Sequence, residues 1–99
     1  MKIINDALLA YFRHKEKCET CGRRRRMGME PSHIMARGRG SAWRMDIQEN
    51  LLSQCRDCHQ AFHDGAMPRR RLLEVVAARE RWPGGWEALE LHLKQMRWK

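Results

Sequence analysis

Two pairs of cysteines share one spacing and together offer the ligands of a tetrahedral metal site. Cys18 and Cys21 form one C-x2-C pair, and Cys55 and Cys58 form another further along the chain. Zinc in structural sites favours four such thiolates. Disulfides, the other common use of paired cysteines, belong mainly to secreted proteins, and the first residues lack the features of a signal peptide. The spacing therefore predicts one structural Zn²⁺ held by all four cysteines.

Two histidines follow the second cysteine pair directly. His59 and His63 lie four residues apart in the segment CRDCHQAFH, a spacing that places both on one face of a helix. Both imidazoles can then bind one divalent ion. Equally, His59 is an ordinary polar helix residue, and His63 is a cation that stabilises the C-terminus of the helix. The spacing alone leaves both interpretations open.

A further histidine, His33, lies between the cysteine pairs in the segment EPSHI. A neutral imidazole can accept a proton from water near neutral pH, which is the role of a general base, although a lone histidine in a strand is more often structural. The order of motifs along the chain favours the general base over a structural histidine. C-x2-C, S-H-I, a loop with glycine and arginine, E-N-L-L and C-x2-C-H-x3-H follow one another, and chance rarely assembles such a composite.

This composite pattern resembles the HNH endonucleases, also called His-Me finger or ββα-metal nucleases, over residues 18–63. The resemblance implies that His33 is the general base and that Asn50 braces the adjacent loop and orients this base. It also implies that His59 holds the catalytic ion, with His63 matching an additional helix ligand of bacterial toxin DNases. The four-cysteine site is similar to the structural zinc of many phage and bacterial members.

One position departs from the family pattern. The residue before the base is usually Asp or His and binds the catalytic ion, whereas this chain has Ser32, whose hydroxyl is a much weaker ligand. Three outcomes are open: the two helix histidines dominate, with water or Ser32 completing the coordination; Glu30 supplies a ligand; or the site is weakened. Two imidazoles suit Zn²⁺, Ni²⁺ or Mn²⁺, whereas Mg²⁺ prefers oxygen, so the catalytic divalent cation stays unassigned.

Arginine dominates the charge balance, in which 20 Lys and Arg against 12 Asp and Glu give +8. Guanidinium groups bind phosphates in a bidentate manner, so the clusters favour DNA, as a duplex bound mainly through its phosphates. Solvated surface charge is the alternative for any one cluster. The candidate DNA-binding residues are Arg23, Arg24, Arg25, Arg26, Arg37, Arg39 and Arg44. Arg37 or Arg39 could clamp the scissile phosphate, or simply bind the DNA backbone.

Hydrophobic periodicity and breakers predict an α+β fold in one domain, residues 1–99, with a motif core at 18–65 and a helical C-terminal extension at 68–98. This is a small ββα-metal (HNH) module with flanking N-terminal and C-terminal helices. Helices are expected at 3–16, from about 58 to 64, at 68–82 and at 86–98. Strands are expected at 27–35 and 50–54, with a flexible loop at 36–47.

These features predict a metal-dependent DNA endonuclease that hydrolyses phosphodiester bonds. Two alternatives stay open: a non-catalytic, zinc-stabilised nucleic-acid-binding module with a decayed HNH site, and a protein-interaction adaptor built on the zinc and the tryptophans of the C-terminal segment. No segment approaches the roughly 18 apolar residues that span a bilayer. We expect a cytoplasmic protein, of phage or prophage type by analogy.

Overall fold

Within residues 2–35 and 43–97, which the computed structural model describes, the chain forms four α-helices and two small sheets, an α+β arrangement. One sheet is an antiparallel pair and the other a short parallel pair. In chain order the elements are β1 (Lys2–Ile3), α1 (Asp6–Arg13), β2 (Glu30–His33), β3 (Arg44–Met45), β4 (Leu51–Gln54), α2 (Arg56–His63), α3 (Arg69–Arg79) and α4 (Gly85–Arg97).

The antiparallel pair of β2 and β4 carries the central histidine. Its register pairs Glu30 with Gln54 and His33 with Leu51. Because side chains alternate along a strand, Glu30 and Ser32 lie on one face of β2 and His33 lies on the other. The Glu30 side chain contacts α2, and the hydroxyl of Ser53 on the opposite face donates to the Phe12 carbonyl of α1. The hairpin therefore lies between α1 and α2.

The first predicted helix begins later and ends earlier than expected. Residues 3–16 were predicted to be helical, but Lys2 and Ile3 pair in parallel with Arg44 and Met45, and α1 begins only at Asp6. The side chain of Asn5 caps this helix by accepting from the Leu8 amide at 3.0 Å. The prediction of a helix from residue 3 is therefore wrong, because β3 recruits the N-terminal residues into a sheet.

The predicted flexible loop at 36–47 also needs correction at its end. Arg44 and Met45 form β3, and Gln48–Asn50 form a 3₁₀ turn before β4. Residues 36–42 lie outside the described part of the chain, and so does the prediction made for them. The strand predicted at 27–35 is confirmed only in its centre. It is preceded by a turn at Gly28, whose φ of +80° favours glycine and where a Cβ would clash with the Arg13 carbonyl.

The apolar stripe of the predicted 68–82 helix finds its partner surface in the last helix. Leu72, Leu73 and Val76 of α3 are fully buried against Leu89 and Leu93 of α4. Both helices cover Leu52 of the hairpin, so the C-terminal segment extends the core that supports it. None of the helices among residues 2–35 and 43–97 has the length and apolar character needed to cross a bilayer.

Arg79 ties this C-terminal layer to the rest of the molecule. Its Nη1 donates to Glu19 at 2.9 Å, and its Nη2 donates to the carbonyl oxygens of Gln48 and Leu51 at 2.7 and 3.0 Å. The guanidinium also lies 5.1 Å from the centre of the Phe12 ring. One side chain near the end of α3 thus joins the first cysteine turn, the 3₁₀ turn and β4.

Candidate functional site

The four cysteines converge on one cluster. Their Sγ atoms all lie within 4.8 Å of one another, and Cys21 Sγ is 3.7 Å from Cys55 Sγ. The edge of a tetrahedron with zinc–sulfur bonds of about 2.3 Å is about 3.8 Å, whereas a disulfide bond is about 2.05 Å. All four cysteines are free. The cluster is therefore compatible with the predicted structural zinc.

A tight turn and a helix start supply the two halves of the cluster. In the first half, the Gly22 amide donates to the Cys18 carbonyl at 2.9 Å and the Arg23 amide points at Cys21 Sγ at 3.5 Å. Gly22 has a φ of +78°, which this turn requires. In the second half, Cys55 is the N-cap of α2 and Cys58 lies in its first turn. Two local structures thus each present two sulfurs to the same point.

The electrostatics of the cluster favour a cation. Burial raises the pKa of the Cys18 thiol, but the Thr20 hydroxyl and backbone amides outweigh it and bring this pKa down to about 6. Burial and the neighbouring sulfurs together raise the pKa of Cys58 to about 12. The first thiolate forms readily, and its charge opposes further ionisation. A bound Zn²⁺ would relieve that repulsion, since thiolates rather than thiols are its ligands.

The two helix histidines contact each other and a glutamate from the hairpin. On α2, His59 Nε2 lies 2.9 Å from His63 Nε2. On the other side of the same ring, His59 Nδ1 lies 2.7 Å from Glu30 Oε1. A carboxylate only accepts, so Nδ1 carries the proton and the lone pair of His59 is on Nε2, directed at His63. Two ring nitrogens that face each other can share a proton or bind one cation.

His33 lies on the opposite face of the hairpin and contacts a buried acid. Its Nε2 is 2.7 Å from Asp46 Oδ1, and its side chain is 14% exposed while that of Asp46 is fully buried. Arg44 contacts the same carboxylate, with Nη2 2.7 Å from Oδ2. The histidines of the candidate site are therefore held in two hydrogen-bonded groups, Glu30–His59–His63 and His33–Asp46–Arg44.

Asn50 joins the two ends of the segment between β2 and β3. Its Oδ1 accepts from the Met35 amide at 2.9 Å, and its Nδ2 donates to the carbonyl oxygens of Met35 and Met45 at 3.3 and 2.9 Å. The side chain is fully buried, so these bonds are shielded from water. This geometry matches a brace for the chain that follows His33.

Ser32 is buried, with 1% of its surface exposed, and its Oγ has no hydrogen-bond partner among the described residues. Glu30, two residues earlier on the same face, is the strand residue that contacts His59. In this geometry Glu30 lies behind the His59 ring, on the side away from His63, so its carboxylate orients the imidazole and does not supply a ligand between the two Nε2 atoms.

The candidate DNA-binding arginines differ in how they are held. Arg23 contacts Asp57 at 2.8 Å, and Arg44 is held by Asp46. The Arg25 guanidinium forms no ion pair with any described residue, and it lines a surface pocket together with Arg56 and Glu30. Arg24 and Arg26 are exposed, and Arg37 and Arg39 lie outside the described residues.

Sequence reasoning missed Asp46, Arg56 and Arg79 as partners of the site. Asp46 is 13 residues from His33 in the chain, and no spacing rule joins a strand end to an acid in a following segment. The R-M-D order of residues 44–46 was the available signal, since an acid beside an arginine in a basic chain indicates a paired charge. Nothing in the sequence distinguished Arg56 from the other arginines of the chain.

No protein-family model, no curated protein and no solved structure matches this chain.

We expect the purified protein to hold one tightly bound zinc per chain through the four thiolates. Cys55→Ser should lose this zinc and unfold or aggregate, because zinc binding of about 10–16 kcal/mol in zinc-finger peptides is also folding energy. Metal analysis and circular dichroism measure both effects. The matched control is His14→Ala, an exposed residue outside the cluster, which should keep zinc and fold. A native Cys18–Cys21 or Cys55–Cys58 disulfide would contradict the assignment.

Proposed function

We propose that this protein is a metal-dependent DNA endonuclease of the HNH type, stabilised by a four-cysteine zinc site. The observation that carries the proposal is the pair of facing nitrogens, His59 Nε2 and His63 Nε2, 2.9 Å apart on the helix that begins at the cysteine cluster. A scaffold that only holds zinc has no need of this second donor pair. The resemblance of residues 18–63 to the HNH pattern gives the pair its proposed role.

The donor set fits a divalent cation. His59 presents a lone pair on Nε2 because Glu30 accepts the proton on Nδ1, the arrangement in which a carboxylate orients a metal-binding histidine. His63 supplies the second nitrogen, and solvent reaches this side chain. Zn²⁺, Ni²⁺ and Mn²⁺ suit two imidazoles better than Mg²⁺ does. A cation held there would supply Lewis acidity to phosphate oxygens and to the leaving 3′ oxygen.

His33 provides the proton transfer in this proposal. Its imidazole accepts a proton from the water that attacks phosphorus, and the buried carboxylate of Asp46 stabilises the resulting positive charge. Asn50 keeps the chain after His33 in place by binding the backbone of Met35 and Met45.

The exposed arginines would bring the nucleic acid to the site. Arg25 and Arg56 line one pocket with Glu30, whose carboxylate contacts His59, so a phosphate bound by the two guanidinium groups would lie next to the histidine pair. The net charge of +8 adds a long-range attraction for DNA that depends on salt.

A second candidate function is favoured by Ser32 and by the position of His33, which lies on the face of β2 opposite Glu30 and the histidine pair. A buried hydroxyl without a partner among the described residues replaces the family's usual acidic or imidazole ligand, as expected of a nucleic-acid-binding module whose HNH site has decayed. Both candidates bind DNA and divalent ions, but only the endonuclease cleaves DNA.

His33→Ala should cleave supercoiled plasmid at least about a hundredfold more slowly than the parent, because removal of a positioned base typically costs about 10²–10⁴ in rate. DNA affinity and zinc content should be unchanged, since the exposed arginines and the cysteines are untouched. His14→Ala, an exposed histidine at the end of α1, is the matched control and should cleave like the parent. Equal cleavage by His33→Ala and the parent would leave the decayed module as the better account.

His59→Ala should lose cleavage with its fold intact, while Ser32→Ala should keep most of it. The imidazole is a donor in the proposed cation pair, and the serine hydroxyl is buried with no partner among the described residues. Isothermal titration with Mn²⁺ and Ni²⁺ measures the cation site independently of cleavage. Glu30→Gln should weaken that binding about 10–100-fold, the usual effect of removing a carboxylate behind a metal-binding histidine. Equal losses in Ser32→Ala and His59→Ala would assign Ser32 a larger role.

Arg25→Gln should weaken DNA binding more than Arg23→Gln does. Asp57 already neutralises Arg23, so a phosphate has to compete for that guanidinium, whereas Arg25 forms no ion pair within the described part of the chain. For each phosphate that the variant no longer neutralises, the slope of log K against log salt should decrease by about 0.9 on duplex DNA. Fluorescence anisotropy across a salt series measures this slope. Equal effects from both variants would show that the Arg23–Asp57 pair does not limit phosphate binding.

A further inference from the structure

Asp46 is a fully buried acid with two polar contacts on each carboxylate oxygen, and one of these contacts is to His33. Its Oδ1 contacts His33 Nε2 at 2.7 Å and accepts from Arg44 Nε at 2.9 Å. Its Oδ2 accepts from the Asn5 amide at 2.9 Å and contacts Arg44 Nη2 at 2.7 Å. The side chain is completely buried, so both oxygens are satisfied by the protein itself.

We propose that Asp46 is a positioning residue for His33, which fixes the ring in the tautomer with its proton on Nε2 and thereby makes Nδ1 the nitrogen that accepts a proton. The contact between His33 and Asp46 is observed in the structure and does not depend on the proposed function. Only the use of Nδ1 to activate a water molecule rests on the proposed nuclease function.

The charge state of Asp46 determines the direction of its hydrogen bond. Burial raises the pKa of this carboxyl, but the Arg44 guanidinium, the Asn5 amide and His33 together outweigh it and bring the pKa down to about 2. The group is therefore ionised at neutral pH and only accepts hydrogen bonds. His33 must donate from Nε2, and a neutral imidazole that carries its proton on Nε2 has its lone pair on Nδ1.

Asp46 is not the only charge that influences the protonation of His33. Arg44, at the start of β3, shares both oxygens of Asp46 and so offsets part of the negative charge that would otherwise hold His33 protonated. Asp6, in the first turn of α1, in turn acts on Arg44. His33 thus faces a carboxylate and a guanidinium together, an arrangement suited to a histidine that gains and loses a proton.

Asp46 also has a structural role, and the experiment must distinguish this role from the positioning of His33. Its bond to the Asn5 amide, together with the pairing of β1 and β3, attaches the N-terminal segment. A purely structural role predicts that substitutions change stability and leave the protonation of His33 as it was. A positioning role predicts that Asp46→Asn and Arg44→Gln change the protonation of His33 in opposite directions.

The test is ¹⁵N NMR of the His33 ring in zinc-loaded protein without DNA. In the parent, neutral His33 should carry its proton on Nε2. Asp46→Asn removes the charge that stabilises the imidazolium, so the pKa of His33 should fall by about one unit or more. Arg44→Gln keeps the carboxylate and removes the cation, so the pKa of His33 should rise. Circular dichroism and zinc content confirm folding, and either variant alone is informative if the other fails to fold.

A parent protein with its proton on Nδ1, or a His33 pKa unchanged in the folded variants, would overturn the proposal. Plasmid cleavage provides the second readout. The acid limb of the pH–rate profile should move to lower pH in Asp46→Asn and to higher pH in Arg44→Gln. If the parent does not cleave DNA, the proposed function fails, while the NMR result still decides the role of Asp46.

Discussion

Four thiols within 4.8 Å of one another impose the constraint on which the rest of this structure depends. Four thiolates at this distance would repel one another, and a bound cation such as Zn²⁺ would remove that repulsion. The cluster joins the turn at Cys18–Cys21 to the point where β4 ends and α2 begins. It therefore sets how α2 lies against the hairpin, and with it the positions of His59 and His63. In a chain of 99 residues a metal bound there would supplement a small apolar core.

Two ionic networks, one around the buried Asp46 and one around the partly buried Arg79, connect this region to the N-terminal segment and to α3. Arg79 joins α3 to Glu19 beside the cysteine turn and to the carbonyl oxygens before and within β4. Asp46 joins β3 to His33 and to the amide of Asn5. Buried charges are costly unless every donor and acceptor is matched, so each network specifies one arrangement of the elements it connects. The flanking helices are thus fastened through the same strands that carry the candidate site.

The two histidine groups differ in what surrounds them, and this difference suits different chemistry. His33 is mostly buried beside an ionised acid and a guanidinium, which favours controlled gain and loss of a proton. His59 and His63 lie toward solvent on α2, with a glutamate behind one ring, which is the arrangement on which the proposed cation site rests. The division follows from the alternation of side chains on β2, since Glu30 and His33 point to opposite faces of the hairpin.

Local rules were enough to predict the features that depend on short spacings. The C-x2-C pairs predicted a cluster, the i, i+4 spacing of His59 and His63 placed them side by side, and the periodicity of residues 68–98 gave two helices that bury a shared apolar stripe. The pairing of β1 with β3, the role of Asp46 beside His33 and the reach of Arg79 to Glu19 were decided only by the tertiary structure. These contacts join residues far apart in the chain, and an aspartate or arginine has the same local pattern whether it is solvated or buried. Which charges become buried depends on how the hairpin, α1 and α3 pack together, and that packing is a property of the whole fold.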